Sequence, residues 1–359
     1  MELADICRFA VRASASDIHL KVGLPPLFRV HGELVPMKSS PAVTPEQMGQ
    51  MAWKIMTKAQ RERFKETNDL DMAIAVPGLG RFRVNVFRQR QSVGMVLRTI
   101  SSSVMTIEEL NLPKILKKIA LYPRGLVIVT GTTGSGKSTT LAAMIEEINR
   151  SVRHHIMTIE DPIEYTYRDR KSLINQREVG VDSVSFASAL RAALRQDPDV
   201  ILVGELRDLE TVEIALSAAE TGHLVMGTLH TLDAPESINR LVSFFEPHHQ
   251  KQIRLQLSST LRAVLSQRLL PTRSGSRIAA VEIMINTGTI SECISDENRT
   301  KEIPDHMAKG RLTHGTQTFD QAVLDLVQRD VVDKTVALRY VNNPDELELR
   351  LSGIGADDW

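Results

Sequence analysis

The residues best equipped for chemistry lie in one run, Gly131-Thr132-Thr133-Gly134-Ser135-Gly136-Lys137-Ser138, followed by Thr139. Its glycines let successive backbone N–H groups close around phosphate oxygens, and a helix starting at the end of the run adds the positive end of its dipole. The Lys137 ammonium can reach outer phosphates, and the Ser138 hydroxyl is placed to ligate a Mg²⁺ shared with the nucleotide. Leu126 to Thr130 ahead of the run and Leu141 to Ile145 behind it supply the strand and helix that such a loop needs. The pattern predicts ATP binding and hydrolysis, with residues 131–139 on the nucleotide.

Further polar residues follow in chain order. Thr158-Ile159-Glu160-Asp161-Pro162-Ile163-Glu164 clusters carboxylates after an apolar stretch, where they suit Mg²⁺ or water handling; a solvated acidic turn reads equally well. Ser138, Glu160 and Asp161 are the candidate Mg²⁺ ligands. Val200-Ile201-Leu202-Val203-Gly204-Glu205 has the form of a Walker B element with glycine where aspartate usually stands. Glu205 therefore leads as the group that orients or deprotonates the attacking water, with Glu164 second, because phosphoryl transfer asks mainly for positioning.

His223 and His230 bracket a short apolar run, and no further ligands at suitable spacing support zinc there. His230, at the end where the other motifs converge, reads as a sensor of the terminal phosphate. In Gly80 to Arg88, period-two alternation puts Arg81, Arg83 and Asn85 on one face and Phe82, Val84 and Val86 on the core face. The arginines are a solvated face or a finger offered to a neighbouring subunit's nucleotide, and spacing alone favours the solvated face.

The elements that must position these groups fall into two sets. Residues 1–100 read as a small mixed α/β domain: an amphipathic helix over 2–14, strands near Ile18 to Val22, Leu27 to Val30 and Leu34-Val35, a helical stretch from Pro45 to Phe64, then further strands to Arg98. Residues 101–110 read as a linker, with a capping-box helix start at Thr106-Ile107-Glu108-Glu109. From 111 to 285 strands and helices alternate, the pattern of a mainly parallel sheet covered on both faces, whose ligands bind beyond the carboxyl ends of the strands. Strands are expected at Leu126 to Thr130, His155 to Ile159, Val200 to Val203, Leu224 to Thr228 and Ile278 to Ile285, and long helices at Pro235 to Phe245 and Pro247 to Leu270. Residues 286–359 read as helical.

The 359 residues carry 44 Lys plus Arg and 44 Asp plus Glu, so no global field attracts nucleic acid or anionic lipid. The chain has no basic stripe with stacking aromatics, which argues against a nucleic-acid partner. Two cysteines, Cys7 and Cys293, exclude a disulfide framework and a four-thiolate zinc site. The start lacks the pattern of a secretory signal and no apolar run is long enough to span a bilayer, so a cytoplasmic location without direct membrane insertion is expected.

Taken together, the motifs resemble the PilT-like motor ATPases of type IV pili, within the wider secretion-ATPase superfamily. The resemblance covers nearly the whole chain: Ser16-Asp17-Ile18-His19-Leu20, Leu24-Pro25-Pro26, the glycine-rich loop, Ile159 to Glu164, Asn175-Gln176-Arg177-Glu178-Val179, Gly204-Glu205-Leu206-Arg207-Asp208, Ala219-Glu220-Thr221-Gly222-His223 and Gly315 to Asp320. It implies an α/β chain with a PAS-like N-terminal domain and a RecA-like core, six copies in a ring, Glu205 and Glu164 working on the attacking water, and Arg81 and Arg83 approaching the phosphates. It further implies pilus retraction against a platform protein at the cytoplasmic face of the inner membrane. Extension and secretion members usually carry a tetracysteine site that this chain cannot form. One stretch departs: where many relatives have Ala-Ile-Arg-Asn-Leu-Ile-Arg-Glu, this chain reads Gly288-Thr289-Ile290-Ser291-Glu292-Cys293-Ile294-Ser295. Its tail looks more like the accessory PilU branch, which adds as alternatives a helper motor working with a paralogous ATPase or a regulatory ring member that binds nucleotide but turns over poorly.

Overall fold

The computed structural model describes residues 2–30, 32–38, 40–100 and 103–352; Ser101 and Ser102 of the expected linker and the last seven residues of the expected helical region lie outside the described residues. The chain divides into two compact units, residues 1–103 with Glu164–Thr166, and residues 104–163 with 167–359.

The first unit runs α1 (Leu3–Arg12), β1 (Asp17–Lys21), β2 (Leu27–Val30), β3 (Glu33–Pro36), α2 (Pro45–Ile55), α3 (Lys58–Thr67), β4 (Asp69–Val76), β5 (Gly80–Gln89) and β6 (Ser92–Ile100). Its strands form a six-stranded sheet of order β3-β2-β1-β6-β5-β4, and every pairing is antiparallel. Strand alternation buries Phe82, Val84 and Val86 completely against α1, α2 and α3, each contributing about 1.5–3 kcal/mol. Arg81, Arg83 and Asn85 take the opposite face, where Arg83 stands 3.9 Å from Asp71 and Asn85 donates to Asp69. The helical stretch expected from Pro45 to Phe64 is two helices. Thr57 and Gln60 form a second capping box, and a helix restarted by its own cap cannot continue the preceding one.

In the second unit Thr106 and Glu109 do exchange capping bonds, yet they close only a turn. Asn111 takes a left-handed φ of 53° and Pro113 follows, so the first helix here is the short α4 (Ile115–Ala120). Next come β7 (Gly125–Thr130), α5 (Lys137–Ser151), β8 (His155–Glu160), β9 (Leu173–Glu178), α6 (Phe186–Ala193), β10 (Val200–Val203), α7 (Leu209–Glu220), β11 (Leu224–Leu229), α8 (Ala234–Ser243), α9 (Pro247–Thr260), β12 (Leu261–Pro271) and β13 (Arg277–Ile285). The sheet order is β13-β12-β7-β11-β10-β8-β9. All neighbours are parallel except β12 and β13.

Alternate residues of the central strands feed opposite cores. Leu126 and Ile128 face α6 to α9, whereas Val127 and Val129 face α4 and α5. The helix expected from Pro247 to Leu270 is thereby corrected: it stops at Thr260, and Leu261–Pro271 is β12. This strand is buried on both faces, so it lacks the polar alternation that would have distinguished it from a buried helix.

Beyond β13 the chain is helical: α10 (Gly288–Ser295), a 3₁₀ turn (Thr300–Glu302), α11 (Ile303–Lys309), α12 (Arg311–His314), α13 (Phe319–Gln328), α14 (Lys334–Ala337) and α15 (Pro344–Leu351). Among the described residues, no helix is long and apolar enough to cross a membrane.

Candidate nucleotide site

Parallel pairing brings the carboxyl ends of β7, β11, β10 and β8 side by side along one edge, with strands ~4.8 Å apart. The edge therefore carries, in order, the glycine loop, His230, Glu205 and Asp161.

Between β7 and α5 the loop makes left-handed turns at Gly131, Gly134 and Gly136, with φ of 138°, 80° and 95°. Space is also tight at two of these glycines. A Cβ on Gly131 would lie 2.4 Å from the Gln267 carbonyl oxygen, and one on Gly136 would lie 2.7 Å from Gln267 Nε2. No side chain caps the start of α5, so its first N–H groups face outward with the dipole behind them. Lys137 Nζ donates to the carbonyls of Gly131 at 2.7 Å and Thr132 at 3.0 Å, which holds the ammonium over the loop. The Ser135 hydroxyl is buried with no hydrogen-bond partner. An anion-shaped cradle, an uncapped helix start and an orphaned hydroxyl fit a polyphosphate. Thr132, Thr133 and Gly134 are exposed, and Ser138 and Thr139 are half-buried.

Sequence reasoning missed Gln267. This side chain, 2% exposed on β12, donates from Nε2 to the Ser135 carbonyl at 2.9 Å and accepts from the Thr140 hydroxyl at 2.8 Å. It ties the loop to the first turn of α5 from the neighbouring strand. A glutamine within the run Leu261–Pro271 was the available signal, hidden by reading the segment as helix.

Glu205 is fixed through its neighbours. Gly204 N–H donates to Ile159 on β8 at 2.7 Å, the Gly204 carbonyl accepts from the Thr228 hydroxyl on β11 at 2.6 Å, and Leu206 N–H donates to the Thr228 carbonyl at 3.1 Å. The missing aspartate has a steric reason: a Cβ on Gly204 would come within 3.1 Å of the Ile159 carbonyl oxygen and 3.3 Å of Glu160 Cα. The Glu205 carboxylate, 18% exposed, holds Arg207 Nε at 2.7 Å and His230 Nε2 at 3.2 Å. These three residues line a cleft of about 450 Å³ together with Glu236 and Arg240. Arg207 also stands 3.8 Å from Asp161, which is exposed.

The other expected residues are distributed as follows. Glu160 is buried and accepts from Thr158 at 2.6 Å and Gln176 at 3.2 Å, so of the adjacent carboxylates Asp161 is the exposed one. Glu164 belongs to the segment grouped with the first unit, as do Arg81 and Arg83. His223, at the amino end of β11, bonds through Nδ1 to the Ala218 carbonyl at 3.0 Å, a structural role.

A glycine cradle at the end of an interior strand of a mainly parallel sheet, with a histidine and a carboxylate at the next strand ends, defines a P-loop nucleotide-binding fold. The comparisons specify it further: residues 2–333 match the model of the Type II/IV secretion system protein family, and the chain belongs to that family. It is 45% identical over 345 residues to the type IV pilus retraction ATPase PilT of Pseudomonas aeruginosa, covering 96% of this chain and 99% of that one. It is 41% identical over 352 residues to the type IV pilus ATPase PilU of the same organism, covering 98% and 91%. Among solved structures, the pilus retraction motor PilT with bound ADP superposes with a TM-score of 0.90 at 44% identity, covering 97% of this chain and 99% of that one.

Proposed function

We propose that this chain is the ATP-hydrolysing motor of type IV pilus retraction, and hence of twitching motility. The observation that carries the reading is the placement of Glu205, pinned by both neighbouring strands at the same sheet edge as the Gly131–Ser138 cradle. Similarity to a retraction ATPase over nearly the full length of both chains supports the assignment to the pilus.

In this reading the N–H groups of residues 131–139 and the Lys137 ammonium bind and orient the phosphates of ATP. Ser138, Asp161 and Glu160 would hold Mg²⁺, which would neutralise charge on the transferring phosphoryl group. Glu205 positions the attacking water and receives its proton, with Glu164 the second candidate for that work. Arg207 and His230 hold the Glu205 carboxylate at rest; His230 reports the terminal phosphate by exchanging that partner for it. Arg81 and Arg83 are the arginines offered to the phosphates of a neighbouring subunit's nucleotide.

The motor is a homohexamer with nucleotide coupling neighbouring subunits, acting on a platform protein at the cytoplasmic face of the inner membrane. Its parts are an N-terminal domain over 1–100, a linker over 101–110, an ATPase core over 111–285 and a helical region over 286–359. A helper role beside a paralogous motor is favoured by one observation: the stretch 288–295 forms α10 with Ile290, Cys293 and Ile294 buried and no arginine on it.

Deletion of the gene, complemented with wild type, Lys137→Ala or Glu205→Gln, tests the reading alongside ATPase rates of the purified proteins. Both variants should lose turnover by at least about 100-fold and fail to restore retraction. Retraction that persists without the gene would move the assignment to the helper, and a Glu205→Gln protein with wild-type turnover would remove Glu205 from its role.

A further inference from the structure

On the helical side of the second unit, far along the chain from the cradle, three residues of different chemistry converge. Cys293 lies on α10 and is fully buried, Glu302 closes the 3₁₀ turn, and His306 stands one helical turn further on, in α11. The Cys293 sulfur, a Glu302 carboxylate oxygen and a His306 ring nitrogen all lie within 4.8 Å of one another, with His306 Nε2 3.9 Å from Glu302 Oε2. Glu302 and His306 are the partly exposed members, with side chains 40% and 30% exposed, so the cluster opens to solvent on the side away from the sulfur.

We infer that Cys293, Glu302 and His306 form a binding site for a zinc-class divalent cation, with a fourth position open to water. The donor set selects the metal. One thiolate, one imidazole and one carboxylate suit Zn²⁺, and the sulfur excludes Mg²⁺ and Ca²⁺, which take oxygen. Charge closes as well: a thiolate, a carboxylate and a neutral imidazole balance a dication.

The backbone carrying these ligands is braced from behind. Arg254 on α9, 8% exposed, donates to the Ile294 carbonyl at 3.3 Å and the Thr300 hydroxyl at 3.2 Å, and its other nitrogen holds Asn239 on α8 at 2.8 Å. The Thr300 hydroxyl in turn lies 3.4 Å from the Cys293 carbonyl. Ile294, next to Cys293, and Thr300, two residues before Glu302, are thus locked to one guanidinium, the kind of outer support that orients metal ligands. At rest Arg299 bridges Glu302 at 3.1 Å and Glu292 at 3.2 Å; binding displaces its hold on Glu302 and leaves it on Glu292. The cation then staples α10 to α11.

Cobalt substitution tests the site, because Co²⁺ bound to a thiolate gives a sulfur-to-metal charge-transfer band and the chain has only two thiols. The metal-free full-length protein titrated with Co²⁺ should develop that band at one equivalent per chain and lose it on adding Zn²⁺. Cys7→Ser should retain it, Cys293→Ser should abolish it, and His306→Gln should weaken Co²⁺ binding by about 100-fold. His306→Gln changes a partly exposed position, so it keeps the test valid if Cys293→Ser does not fold. Absence of the band in the wild type, its survival in Cys293→Ser, or undiminished affinity in His306→Gln would overturn the inference.

Discussion

Replacing Gln267 by glutamate changes one nitrogen to oxygen and leaves volume intact, so it isolates what the side chain does for the phosphate loop. Nε2 donates to the Ser135 carbonyl at 2.9 Å, and Oε1 accepts from Thr140 at 2.8 Å. In Gln267→Glu the second bond survives, while the first becomes two acceptors facing each other at a site 2% exposed. Loss of one hydrogen bond removes ~1 kcal/mol, and leaving a buried acceptor unpaired beside a carboxylate adds ~1–3 kcal/mol.

While the carboxylate is ionised, the loop relieves this by moving away from residue 267, which opens the cradle. About 2–4 kcal/mol expressed in binding corresponds to a loss of ATP affinity between ~30-fold and ~1000-fold. Calorimetric titration of the full-length variant with ATP measures it, and the pH series is decisive. A protonated carboxyl again donates to Ser135, so the deficit should shrink as pH falls from 8 toward 6 or so. An affinity within about twofold of wild type, or a deficit that does not change with pH, would refute the coupling between Gln267 and the loop.

Two further substitutions probe the same sheet. Gly204→Asp restores the acid that glycine replaces, but its Cβ must come within 3.1 Å of the Ile159 carbonyl oxygen. Thermal melting should show a loss of about 1–3 kcal/mol with no gain in turnover, and a variant as stable as wild type with faster hydrolysis would contradict the steric account. Glu282 on β13 accepts from the Ala234 N–H at the start of α8 at 2.9 Å and from Ser266 at 3.0 Å, and burial pushes its carboxyl from 4.5 up to about 7. Between those values the native chain keeps a proton that the unfolded chain has released, so this group's stabilisation is complete below pH 4.5 or so and is lost as pH rises through about 7. At ~1.4 kcal/mol per pH unit the loss amounts to ~3 kcal/mol. Glu282→Gln keeps the accepting oxygen and has no proton to release, so denaturant melts at pH 8 should show it more stable than wild type, with the difference vanishing near pH 5; an equal pH slope in both proteins would contradict this.

What could be read from the residues in advance was chemistry carried by contiguous runs. The loop from Gly131 to Ser138 announces itself because its glycines, lysine and serine are adjacent, and Glu205 stood out because four apolar residues lead into an acid. The unread part lies where function depends on residues far apart in sequence. Gln267 supports the loop from a strand more than a hundred residues later, and that strand, buried on both faces, shows neither the polar alternation nor the turn signals that separate strand from helix. The capping box at Thr106 was legible as hydrogen bonds and misleading as a helix, since the left-handed Asn111 and Pro113 stop the chain within a turn.

Gly204 shows how the two kinds of information join. The sequence marks it as a departure from the usual acid, which on residue types alone shifts attention to Glu205. Packing supplies the cause: β10 ends against the Ile159 carbonyl, and the same close approach lets Gly204 N–H bond that oxygen at 2.7 Å. The glycine thus sacrifices a carboxylate and fixes the backbone of the next residue, Glu205, between β8 and β11. In the role proposed for Glu205 that exchange would be a gain, because a water-orienting carboxylate acts through where it stands. Its bonds to Arg207 at 2.7 Å and His230 at 3.2 Å hold the carboxylate from two sides.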